Sequence, residues 1–221
     1  MIAPDRARAQ IGAVAWIFAL QFFITQVVVA SAWATPFSLA HRYISDLGNT
    51  ACAPYPAGSG TLVCSPWHLA MNASFVLLGV TMMIGAVQAR DAFAPGRIHS
   101  AARTLFVLAG IGVILVGLYP ENENNSRHYA GAALNFLCGN VALVLFGLAV
   151  PVRKSALAQV SIGAGVIGLL ATALLVSERY LGLGAGGMER LAAYPMSLWQ
   201  IVAGLSIWSR IAHPVPSGPA D

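Results

Sequence analysis

The sequence predicts an all-α membrane bundle of six transmembrane helices with both termini in the cytoplasm. Three observations carry that reading. Hydrophobic residues make up 57% of the 221-residue chain and charged residues only 9%, whereas soluble domains carry about 25% charged residues. The apolar residues gather into six runs close to the ~20 residues that cross a hydrocarbon core. The basic residues fall between the runs in a sided pattern.

The runs are roughly Ile11–Ala34, Pro66–Gln88, Arg103–Tyr119, Tyr129–Val150, Leu157–Val176 and Leu191–Ile211. Arg6 and Arg8 precede the first, and Ala32-Trp33-Ala34 looks like a signal cleavage site. Its apolar part exceeds the about 7–15 residues of a signal core, so an uncut helix is expected. Gln21, Thr25 and Gln26 lie at mid-membrane depth, Gln21 and Thr25 on one face, and suit hydrogen bonds to a neighbouring helix. Residues 1–10 are then a cytoplasmic N-terminus and 11–211 one transmembrane domain with a long outer loop, 35–65. The Pro-rich stretch 212–221 is expected to be a disordered cytoplasmic tail.

This arrangement puts Arg6, Arg8, Arg90, Arg97, Arg103, Arg153, Lys154 and Arg210 inside and Arg42, Arg127, Arg179 and Arg190 outside. That excess is the positive-inside pattern. The net charge of +4 is spread out and not interleaved with aromatics, which argues against nucleic-acid binding. Arginine dominates the basic residues, and Ala and Gly are abundant, as in GC-rich bacterial genomes. A bacterial inner membrane is the expected location. No charge sits mid-membrane, which argues against ion channels and proton pumps. Small residues recur at helical spacing in Gly131/Asn135/Gly139, Ser161/Gly165 and Gly110/Gly112/Gly117, as close helix packing in lipid requires.

The outer side holds the distinctive chemistry. Cys52 and Cys64 share one loop on the oxidising side, so a disulfide is expected. Cys138 reads as a small buried hydrophobe. Ser65-Pro66 suits a helix start, with Ser65 as cap and Pro66 at the first position. His68 and Asn72 then share a face. His128 and Asn135 lie two turns apart on the fourth run, after the polar turn Glu121-Asn122-Glu123-Asn124-Asn125. Glu189 and Arg190 precede the sixth run, Tyr194 lies one turn on, and Pro195 is expected to kink it. His41, His68 and His128 thus project to one side with Asp46, Glu121, Glu123 and Glu189. Such a set can bind zinc or run acid–base chemistry, yet there is no HExxH or HxxxH spacing. The plainer alternatives are an Arg42–Asp46 pair, interfacial ion pairs at Glu189–Arg190 and Glu178–Arg179, and histidines bonded to headgroups.

Tyr43-Ile44-Ser45-Asp46-Leu47-Gly48, Cys64-Ser65-Pro66-Trp67-His68 with Met71-Asn72, Gly117-Leu118-Tyr119-Pro120-Glu121, His128, and Gly187-Met188-Glu189-Arg190 with Tyr194-Pro195 and Trp199 together resemble a known family. It is the bacterial and archaeal group of six-helix membrane proteins called domain of unknown function number nine hundred and ninety-eight. The likeness covers about Ile11 to Ser209. It implies a membrane-embedded fold and no particular reaction. More distantly the chain is similar to the Frag1/DRAM/Sfk1 membrane proteins, some of which act in lipid-anchor remodelling, a fold-level analogy. Ceramidase-like hydrolases carry HxxxH on a late helix, and this chain has no His between Tyr129 and Ala212.

The resulting expectation is an outward polar pocket, capped by the first loop, that binds or processes a lipid headgroup or small amphiphile. His68, His128 and Asp46 are the candidate acid–base groups. His41, Tyr43, Ser45, Asn72, Glu121, Arg127, Asn135, Glu189, Arg190 and Tyr194 are the candidate ligand contacts, with Arg127 or Arg190 suited to a phosphate or carboxylate. The competing expectation is a non-enzymatic scaffold whose polar residues only hold the loop and helix ends.

Overall fold

The computed structural model describes residues 6–58, 60–93, 95–150 and 156–213. The stretch expected to be a disordered tail falls almost wholly outside them. Seven α-helices make six membrane-length spans among the described residues. They are α1 (Arg6–Ile17) with α2 (Leu20–Ser31), α3 (His68–Gln88), α4 (Arg97–Leu118), α5 (Asn125–Ala149), α6 (Ala156–Val176) and α7 (Gly184–Ala212). Each span has an apolar core that water would penalise and lipid accepts. The chain is an integral, multi-pass membrane protein.

An even number of spans returns the chain to the face it left. Accordingly an Arg6 guanidinium N–H donates to the Ile211 carbonyl at 3.0 Å. Each span packs on its sequence neighbour, and α1 closes the ring against α3 and α7. Trp16 sits at the centre of the seam. It is 1% exposed, donates its indole N–H to the Met82 carbonyl at 3.3 Å, and meets Phe93, Phe106, Phe146 and Trp199 edge-on.

The first span breaks at Phe18–Ala19 without a proline. There Ala19, Gln21 and Phe22 bond to carbonyls three residues back, the tighter 3-10 pattern that bends a helix. Beyond the break, Gln21 and the Ser74 hydroxyl bond across α2 and α3 at 2.7 Å. In lipid the alternative is an unsatisfied polar group, so such bonds hold helices together.

α1, α4, α5 and α7 start earlier than the hydrophobic runs suggest, α4 and α7 by the most. α4 begins at Arg97 and α7 at Gly184. An apolar run marks only the part in hydrocarbon, while helical hydrogen bonding continues into the polar interface. α7 also runs unbroken through Pro195, as membrane helices tolerate.

Between α2 and α3 the loop forms a 3-10 turn, Ser45–Gly48, and an antiparallel hairpin of β1 (Ala53–Pro54) and β2 (Leu62–Val63). Cys52 and Cys64 are joined by a disulfide across that hairpin. Replacing both with Ser frees the unfolded loop and is expected to cost about 2–4 kcal/mol. Thermal melting of the double variant beside the parent, with and without reductant, checks this. Reductant should lower only the parent.

Candidate functional site

The 3-10 turn is the keystone of the loop-side face. Ser45, Asp46, Leu47 and Gly48 are all buried. Side chains from the loop, α3, the α4–α5 turn and α7 hold the turn and its flanks. The Ser65 hydroxyl donates to the Leu47 carbonyl at 2.7 Å, and the Asn72 amide of α3 donates to the Gly48 carbonyl at 2.8 Å. Gly48 lies so close to Asn72 that a Cβ would fall 2.3 Å from its Oδ1, so any larger residue must displace the Asn72 amide. From the α4–α5 turn, Asn122 accepts the Thr50 N–H at 3.1 Å and Glu123 accepts the Thr50 hydroxyl at 2.7 Å. From α7, Glu189 accepts the Ile44 N–H and, at 3.4 Å, the Ser45 hydroxyl.

These bonds revise three local expectations. Ser65 does not cap α3. The helix begins at His68 with no side-chain cap, because the Ser65 hydroxyl holds Leu47 instead. Likewise Glu189 and Arg190 do not pair with each other. Glu189 faces the turn, while one Arg190 nitrogen donates to the carbonyls of Leu39, Arg42 and Gly186 at 2.9, 2.7 and 2.9 Å. Arg42 donates to the Leu62 carbonyl at 2.7 Å and only biases Asp46 electrostatically.

Asp46 from the loop and Glu121 from the α4–α5 turn are each 4% exposed and hydrogen-bond side chain to side chain. Two carboxyls in contact cannot both stay ionised, so one keeps a proton. Burial first, then the charges of Asp46 and Glu189, push Glu121 up to about 9. Burial also raises Asp46, against the pull of the Glu121 hydrogen bond and Arg42. The Tyr43 and Tyr55 phenols are raised by burial as well.

Directly beneath lies a cavity of about 40 Å³, room for a few waters. Ser45, His128, Asn135, Glu189 and Ser197 form its polar lining. Phe22, Phe75, Leu78, Met82, Val113 and Met196 form much of its apolar lining. The His128 ring bonds through Nδ1 to the Tyr119 carbonyl at 2.9 Å. A carbonyl only accepts, so Nδ1 carries the hydrogen. The Asn135 amide nitrogen donates to the Ala109 carbonyl at 3.0 Å.

The candidate residues thus divide. Ser45, His128, Asn135 and Glu189 meet at the cavity. Asp46 and Glu121 pair beside Glu189, and Tyr43 joins them through its backbone N–H, which donates to Asp46 at 3.0 Å. Asn72 is buried but engaged with Gly48. His68 bonds through Nδ1 to the Ser65 carbonyl at 3.0 Å and lines no part of the cavity. The His41 side chain is exposed. Arg127 is exposed and lies over the Tyr119 ring at 4.7 Å. Arg190 faces the loop at Leu39 and Arg42, and Tyr194 faces α2, where its hydroxyl donates to Gln26 at 2.9 Å. Among the described residues no three His, Cys, Asp or Glu side chains gather as a metal would need.

Sequence reasoning missed Ser197 and the apolar wall. Both lie on helix faces that look like ordinary membrane packing, and no local pattern separates a cavity lining from a helix contact. Gln26, expected to hydrogen-bond between helices, does so, and what the sequence did not name is its partner, Tyr194.

No curated protein and no solved structure matches this chain. A family model described as "Protein of unknown function (DUF998)" matches residues 12–206. That span takes in the loop-side turn, both members of the carboxyl pair and every residue lining the cavity, and the chain belongs to this family.

Proposed function

We propose that this protein binds a small amphiphile, or the head end of a membrane lipid, in the cavity under the loop. The loop then faces the outside of a bacterial inner membrane. The observation that carries the reading is the two-sided lining: polar groups from the loop turn, α5 and α7, with aromatic and aliphatic side chains completing the wall. That is the polarity of an amphiphile. Met82 and Met196 line the apolar part, and flexible thioethers adapt to an occupant larger than the closed cavity. The disulfide and the excess of basic residues at the other face support the orientation.

Calorimetric titration with hexanol in a non-ionic detergent tests the reading. Saturable binding at one site is expected, and Ala132→Phe, which fills the cavity wall, should abolish it without unfolding the protein. Absence of saturable binding to the parent sinks the proposal.

A second reading has its own support. Asn72, His68, Arg190 and Asp46 each bond to backbone groups of the loop or of a helix end. On that reading the polar face is a clamp for the loop, and the protein is a non-enzymatic scaffold.

A further inference from the structure

The lining decides which head the cavity takes, given the amphiphile reading on which this rests. We infer that the ligand's head is an ammonium, a cationic hydrogen-bond donor, and not an anion.

Consider what each polar group still offers. One Glu189 oxygen accepts the Ile44 N–H, and the other lies 3.4 Å from the Ser45 hydroxyl. The Ser45 hydroxyl faces Glu189 at 3.4 Å, one Asn135 amide hydrogen points at Ala109, and the His128 Nδ1 hydrogen points at Tyr119. The His128 N–H and one of the two Asn135 N–H groups are therefore engaged. What remains open is the carboxylate of Glu189 and the carbonyl oxygen of Asn135, with the Ser197 hydroxyl beside them. Asn135 is 7% exposed and Ser197 3%. Both line the cavity, and neither the Asn135 oxygen nor the Ser197 hydroxyl has a hydrogen-bond partner among the described residues.

Charge points the same way. Arg190 is the nearest cation in sequence, yet one of its nitrogens is held by three carbonyls and its guanidinium lies 5.7 Å from the Phe37 ring centroid. It lines no part of the cavity. No salt bridge to Glu189 forms among the described residues. A phosphate or carboxylate placed here meets a carboxylate and a carbonyl oxygen, whereas an ammonium meets three acceptors, and charge-assisted bonds of this kind are the strong ones.

The test compares hexylamine, hexanol and hexanoate by calorimetric titration in the same non-ionic detergent near neutral pH. Hexylamine is expected to bind about tenfold or more tightly than hexanol, with hexanoate weakest. Glu189→Gln should bring hexylamine down to the level of hexanol. Asn135→Leu, which removes an acceptor without touching the loop, should weaken hexylamine by roughly threefold to tenfold. It serves where Glu189→Gln does not fold. Hexanoate binding as tightly as hexylamine overturns the inference, as does full hexylamine preference in the variants. Hexanol binding with no preference for the amine removes only this inference. No binding of hexanol or hexylamine removes the amphiphile reading with it.

Discussion

Glu121→Gln is expected to stabilise the protein at neutral pH and to flatten its dependence on pH. In the folded chain Glu121 is pushed up to about 9 from an ordinary 4.5. The causes are burial, the facing Asp46 on the loop turn, and Glu189 on α7, with Ser45 opposing. Arg42 and Arg190 act on Asp46 across the same contact. The sign follows from which state holds the proton. Between the two values the folded state keeps Glu121 protonated while the unfolded state releases its proton. Stability is therefore full below about 4.5 and falls as pH rises toward 9, by up to about 1.4 kcal/mol per pH unit. The raised Asp46 adds a slope of the same sign. Gln is an isostere of the protonated acid that needs no proton. It should gain up to about 3 kcal/mol at pH 7 and nothing near pH 4.5. Thermal melts of parent and variant across pH 4.5 to 9 measure both. Parallel curves for the two proteins would show that Glu121 does not hold the proton.

A single methyl group should act with opposite sign at two glycines. At Gly112 on α4, a Cβ would fall 2.6 Å from the Gly131 carbonyl oxygen and 2.6 Å from the Asn135 nitrogen, both backbone of α5. Backbone cannot rotate away, so Gly112→Ala must push α4 and α5 apart, at about 1–3 kcal/mol. The displacement also moves Asn135 at the cavity. At Gly163 on α6 nothing lies within 4 Å of the added Cβ. There alanine should raise stability by up to about 1 kcal/mol, because glycine is the poorer helix former. Melting temperatures of the two variants in detergent decide the matter. A harmless Gly112→Ala would mean that α4 and α5 do not pack backbone to backbone.

The close approaches at Gly110, Gly112, Gly131 and Gly165 were legible as small residues at helical spacing. What the spacing does not state is the partner. Gly131 opposes Gly112, while Gly168 opposes Asn140, whose amide also reaches the Ala192 carbonyl of α7. The histidines show the same limit more sharply. His68 and His128 look equivalent in sequence, each at the start of a membrane helix with an Asn on the same face. Folded, His128 lines the cavity, and His68 turns back to its own Ser65 carbonyl. The difference lies in which way each helix start faces the bundle, and that is set by packing.

Six membrane spans, the loop that crosses the polar end, and the disulfide within it were all legible from the residues alone. Those follow from local quantities: the bilayer imposes one length on every apolar run, and two nearby cysteines in one loop need little help to meet. Only the tertiary structure decided that Asp46 would share a proton with Glu121, that Ile44 would be held by Glu189, and that a polar-ended cavity would open below them. Those partners lie far apart along the chain. Their meeting depends on how helices seat against one another, which short-range pattern does not encode.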